Sequence, residues 1–188
     1  MTQAIGHGTG WSFGIRVLHW LTAAMIGVEL AVSFGPMSIG PAVFEWLPTH
    51  LSIGTAIAAL VLVRLVRRTF ERAPEIGVPP FVRTLASVFH AAMYAMLIAV
   101  LFTGWVAYRP SPFVPRARLL GIVPMPDFPP TPWFAAHEYA SLHRLLVWIF
   151  LALLVLHIIA AVFHAAVLRD SVMSGMLRAR RPSGRRRG

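Results

Sequence analysis

The chain of 188 residues contains no cysteine. That absence excludes disulfides, iron–sulfur clusters and thiolate zinc sites, and it excludes covalent haem attachment through a C-x-x-C-H motif. Lysine is also absent, so all 17 basic residues are arginine, set against only 7 acidic ones. Charged residues make up 13% of the chain, where a soluble domain averages about 25%. The first residues, Met1–Gly14, lack the basic n-region and cleavage site of a signal peptide, so the first apolar segment is expected to be retained as a helix.

What fills the chain instead is hydrophobic sequence, 57% of it. Four apolar runs, about 15–34, 50–66, 85–108 and 142–168, approach or exceed the ~20 residues that a helix needs to cross a ~30 Å hydrocarbon core. The pattern predicts an all-α, integral membrane four-helix bundle formed by one domain over residues 1–170, followed by a basic C-terminal tail over 171–188. The short apolar part of the second run, closed by Arg64, Arg67 and Arg68, predicts arginines that snorkel along its last turn. The longest connection, from Arg109 to Ser141, is rich in proline and aromatic residues, as expected of a cap lying on the membrane surface with a short helix from Trp133.

The formal net charge of +10 raises nucleic acid as a partner, but the distribution of the arginines points elsewhere. If the chain starts inside, four arginines fall on the outer side (Arg109, Arg116, Arg118 and Arg144) and the other thirteen of the seventeen lie inside. This asymmetry predicts cytoplasmic termini. The tail Arg178–Gly188 then reads as a disordered topology anchor able to touch anionic lipid, and no nucleic-acid partner is expected.

Six of the eight histidines lie in or at the edges of the apolar runs: His19, His50, His90, His143, His157 and His164. Ionisable residues at such depth are costly and mark function by default. Any one of them alone is as readily a core histidine bonded to a backbone carbonyl. Six together, with almost no acidic partner, are most economically explained by haem iron held between histidines on facing helices. His143 and His157 are fourteen residues apart, which places them on one face of the fourth helix, roughly 21 Å apart along it. That separation suits two b-type haems stacked near opposite membrane faces.

Depth pairs His50 with His143 at the outer side and His19 with a later histidine of the fourth helix at the inner side. His157 and His164 are seven residues apart and share a face, so periodicity leaves the inner ligand open between them. Gly54 and Gly104 either admit a macrocycle close to the backbone or serve helix packing. Zinc competes as the metal, but the only intramembrane carboxylate available to it is Glu29, late in the first helix.

In these residues the sequence resembles the bacterial cytochrome b561 family, four-helix dihaem membrane cytochromes. The likeness runs from Arg16 to Asp170 through Arg16-x-x-His19-Trp20, His50-x-x-x-Gly54, Val63-Arg64-Leu65, His90-x-x-x-Tyr94, Leu142-His143, Leu156-His157, His164 and Arg169-Asp170. The resemblance implies axial ligands at His19, His50, His143 and His157, and so chooses His157 for the inner pair. It leaves Arg16, His90, His164 and Arg144 as candidate contacts to haem propionates or a quinone. His137 is an addition of this sequence, and His7 carries no prediction.

The resemblance further implies a multi-pass protein of the bacterial inner (cytoplasmic) membrane that carries electrons to or from ubiquinone. In one form it would act as a superoxide oxidase. Such an activity needs outer cations to steer a small anion, and Arg109, Arg116, Arg118 and Arg144 are the candidates. Two other readings compete. One is a membrane-anchor cytochrome b subunit relaying electrons from a soluble redox enzyme. The other is a non-redox metal or proton transporter, which predicts intramembrane carboxylates beyond Glu29.

Overall fold

The computed structural model describes residues 10–35, 43–71, 79–109, 118–119, 122–125 and 135–177. Expectations that fell on Arg116, Trp133 and the tail 178–188 lie outside these residues, as does His7. The fold is the expected all-α bundle, and four of its helices are long and apolar enough to span a membrane.

Helix α1, Phe13–Phe34, starts where the Ser12 hydroxyl accepts the Ile15 amide at 3.3 Å. It ends at Gly35, where a β-carbon would run into the Ala31 carbonyl oxygen. Helix α2 is Val43–Phe70, α3 is Pro80–Ala107 and α4 is Ala136–Phe163, each of 28 residues. At 1.5 Å per residue they are about 42 Å long, so each extends past a ~30 Å apolar core.

That excess length is why the helices overrun the apolar runs that predicted them. Helix α2 begins not at His50 but at Val43, and takes in Pro48. Pro48 is the sixth residue of the helix, past the first turn, and removes one intrahelical backbone bond. Helix α3 begins at Pro80, with proline in the first turn where its missing N–H costs nothing. Helix α4 begins at Ala136, its start fixed by the Ala135 amide donating to Glu138 Oε2 at 2.6 Å.

Backbone packing is concentrated within two hairpins, α1 with α2 and α3 with α4, and α2 meets α3 over a shorter stretch. Mid-bundle, Ile57 and Val61 of α2 pack with Leu97 of α3 and Phe150 of α4. The outward faces stay apolar, as with Val28, Leu62, Phe102 and Ile158. A helix apolar all round is suited to lipid rather than water.

At the His50 end, a small antiparallel pair, β1 (Arg118–Leu119) and β2 (Val123–Pro124), docks on α2. The Ser52 hydroxyl lies 2.8 Å from the Arg118 carbonyl, and Met125 is buried against Leu51 and Tyr108. The described part of the expected cap is thus a β-turn unit seated on one helix.

At the other end α4 runs into a π-helical turn, His164–Leu168, and the chain reverses at Arg169 in the left-handed region (φ 50°). A helix follows, α5, Ser171–Leu177, so the segment assigned to the tail begins with ordered structure. Its last carbonyls are met by the start of α1. The Trp11 amide donates to Gly175 O at 3.3 Å, Trp20 Nε1 to Met176 O at 3.3 Å, and an Arg16 Nη1 to Leu177 O at 3.2 Å. These are the orphan acceptors that every helix C-terminus leaves.

Candidate haem-binding sites between the hairpins

The four histidines expected from the resemblance as ligands meet in two pairs, one at each end of the bundle. At one end His50 of α2 faces His143 of α4, with ring centroids 6.0 Å apart and planes at 84°. At the other, His19 of α1 faces His157 of α4, with centroids 6.4 Å apart and planes at 79°. Each pair takes one ring from each hairpin. Two metal–nitrogen bonds of ~2 Å plus the half-widths of two imidazoles give about 6 Å between centroids, so both pairs fit one metal held from two sides.

Among the described residues no third His, Asp or Glu converges to make a metal-ligand group. A two-ligand protein site suits haem, whose macrocycle supplies the other four nitrogens, and is poor for zinc, which takes three or four ligands from the protein.

At the His50 end each ring is fixed through Nδ1. His143 Nδ1 is 2.9 Å from the Val100 carbonyl and 3.4 Å from the Thr103 hydroxyl. A proton on Nδ1 donated to Val100 leaves Nε2 with its lone pair free for a metal. The ring approaches α3 closely because Gly104 leaves room for it; a β-carbon there would come within 2.9 Å of His143 Cε1. The Val100 carbonyl and Gly104 together seat the ring, and Gly54, with only Leu101 at 4.0 Å, has no such part.

His50 is held by Glu29. The carboxylate contacts His50 Nδ1 directly, and the Ser33 hydroxyl donates to Glu29 Oε1 at 2.9 Å while lying 3.1 Å from His50 Nδ1. Trp46, one turn before His50, stacks on its ring at 5.2 Å. Sequence reasoning considered Glu29, late in the first helix, only as a zinc candidate. Its partner was hidden because the connection between α1 and α2 sets the register of one helix against the other.

At the His19 end the surroundings are aromatic and basic. Phe89 stacks on His157 at 6.3 Å, and His90 sits edge-on to the same ring at 5.4 Å. The His90 Nδ1 bonds the Ala86 carbonyl at 2.6 Å. Arg64 lies over the Tyr94 ring at 5.5 Å and interacts electrostatically with both His19 and His157. His164 stands apart, its Nδ1 bonded to Asp170 Oδ2 at 2.5 Å at the chain reversal.

Arg16 belongs to this end, one helical turn before His19, but one of its amino groups is spent on the Leu177 carbonyl. Arg144 is exposed beside His143 and bonds the Ser141 hydroxyl at 3.0 Å. Arg109 is turned back on the Val106 and Tyr108 carbonyls at 2.7 and 2.8 Å. His137 is exposed, one turn and a half before His143.

Five buried polar atoms find no hydrogen-bond partner among the described residues: Arg16 Nε, His19 Nδ1, Glu29 Oε2, Trp46 Nε1 and Tyr94 Oη. All belong to residues at or next to the two pairs. Buried polar atoms are rarely left so, and the donors among them (Arg16 Nε, Trp46 Nε1 and Tyr94 Oη) fit a group edged with acceptor oxygens, such as haem with its propionates.

Long apolar helices that bring histidines together in pairs across the bundle describe a membrane cytochrome. Comparison with known proteins agrees: the prokaryotic cytochrome b561 family matches residues 10–179, and the chain belongs to that family. It is a multi-pass membrane cytochrome b of electron transport, and the family binds haem b. Family membership decides against the non-redox transporter. The chain is also similar to a Yersinia pestis protein described as a probable superoxide oxidase, CybB, with 26% identity over 178 residues covering 85% of this chain and 91% of that protein.

Proposed function

We propose that this protein is a dihaem cytochrome b that moves electrons across the bacterial inner membrane between an outer donor and ubiquinone, acting as a superoxide:ubiquinone oxidoreductase. The observation that carries this reading is the pair of cross-hairpin histidine couples, His50–His143 and His19–His157, with 6.0 and 6.4 Å between centroids. Held by these two histidine pairs, haem b would supply a one-electron couple for outer-sphere exchange with a donor.

The chain's own residues do the rest. Val100 and Glu29 engage the Nδ1 atoms of His143 and His50, which leaves Nε2 of each ring as the nitrogen available to a metal. Ile57, Val61, Leu97 and Phe150 fill the middle of the bundle and exclude water between the two levels. The arginine asymmetry supports an orientation with both termini inside and the His50 end, with Arg118 and Arg144, on the outer face. Those exposed cations favour approach of a small anion. In the balanced reaction two superoxide anions each lose one electron and leave as dioxygen, while ubiquinone takes up two electrons and two protons. Support for superoxide in particular comes from the name of the Yersinia pestis relative.

The test is stopped-flow mixing of oxidised protein with superoxide, followed by mixing of reduced protein with ubiquinone. The haem absorbance should report reduction in the first mix and reoxidation in the second. Reoxidation by ubiquinone without reduction by superoxide would remove the superoxide activity and favour the membrane-anchor subunit.

A further inference from the structure

The two histidine pairs differ in the charge around them. At the His50 end the only acid within the apolar span of α1 touches a ligand ring: Glu29 engages His50 Nδ1, with Ser33 donating to Glu29 Oε1 at 2.9 Å. His143, across from it, leans on a neutral carbonyl. At the His19 end no carboxylate approaches either ring among the described residues, His19 Nδ1 has no partner there, and Arg64 supplies positive charge.

A carboxylate bonded to the outer nitrogen of an axial histidine raises the basicity of the ligand and stabilises the more positive, ferric state. A nearby guanidinium does the reverse. Both effects separate the two sites in the same direction.

We propose that Glu29 is a positioning residue that makes the haem at the His50 end the lower-potential one, so that electrons run downhill from the His50 end to the His19 end. This rests on the dihaem reading above. Ser33 moderates the effect, because its hydroxyl withdraws charge from Glu29 Oε1. Removing that donor should strengthen the carboxylate, and removing the carboxylate charge should weaken its hold on His50.

The two substitutions therefore push in opposite directions, which a merely structural role would not produce. The experiment is a spectroscopic redox titration of the purified holoprotein and of Glu29→Gln and Ser33→Ala, with haem content measured on each sample. Glu29→Gln, nearly isosteric, should raise the lower midpoint by about a tenfold change in the ferric/ferrous equilibrium, ~59 mV for a one-electron couple, and leave the higher midpoint in place. Ser33→Ala should lower the same midpoint.

Should Glu29→Gln retain only one haem, Ser33→Ala decides alone, since it leaves the carboxylate in place. Two retained haems whose midpoints stay put, or move together, would overturn the assignment of Glu29. Fewer than two haems in the unaltered protein would overturn the dihaem reading and this inference with it, and the haem count tells that failure from the first.

Discussion

Replacing Gly104 with alanine should empty one haem site without weakening the bundle. A β-carbon at this position would stand 2.9 Å from His143 Cε1 and 3.0 Å from its Nδ1. Ordinary contact begins at 3.4 Å, so the ring must retreat by at least 0.5 Å. It cannot do so freely, because the retreat stretches the 2.9 Å contact from Nδ1 to the Val100 carbonyl. Losing that bond costs on the order of 1 kcal/mol, and losing an outer partner of a metal ligand typically lowers affinity about 10–100-fold.

Helix propensity acts in the opposite sense, favouring alanine over glycine by about 1 kcal/mol, so the fold itself should hold or gain. A pyridine haemochrome assay on Gly104→Ala should show loss of one haem per chain under haem-limited loading. Gly54→Ala and Gly27→Ala should keep full content, since Gly54 meets only Leu101 at 4.0 Å and Gly27 meets nothing within 4 Å. Full haem content in Gly104→Ala, with unshifted midpoints and spectra, would refute the claim that Gly104 seats the His143 ring.

Further substitutions probe other parts of the account. His157→Ala should lose the haem at the His19 end, whereas His164→Ala should keep both and loosen only the contact with Asp170, as haem content and thermal melting would show. Trp20→Phe removes one of the donors to the α5 carbonyls, worth at most about 1 kcal/mol, so hydrogen exchange within Ser171–Leu177 should quicken by up to about fivefold. Unchanged exchange would mean that the clasp between α1 and α5 contributes nothing to holding that helix. Arg144→Gln should slow the second-order reaction with superoxide and flatten its dependence on ionic strength, and an unaltered salt dependence would assign steering elsewhere.

The parts of this molecule that were legible in the sequence are those governed by one-dimensional rules. Apolar run length located the four spanning helices, and fourteen-residue spacing placed His143 and His157 on one face of α4. Helix ends were less legible: apolar length reports the hydrocarbon core, while α2, α3 and α4 extend beyond it, and Pro48 sits inside α2 rather than before it. The heptad relation between His157 and His164 left them equivalent. In three dimensions they separate, with His157 facing His19 and His164 turned to Asp170 where the helix changes pitch.

What held the rings was the least legible part. His143 leans on a backbone carbonyl, which no side-chain pattern encodes, and the partnership of Glu29 with His50 depends on how α1 and α2 are set against each other. Trp46 on His50 is the exception, since a spacing of four within a helix brings two rings together and α2 had been expected to begin only at His50. The small β unit on Ser52 had no signal beyond a proline-rich stretch.

The central claim is that the two hairpins hold two haems, one between His50 and His143 and one between His19 and His157. Haem content measured against quantitative amino-acid analysis of the purified, detergent-solubilised protein tests it most directly. The account predicts two non-covalent b-type haems per chain. A ratio of one, or none, would contradict it.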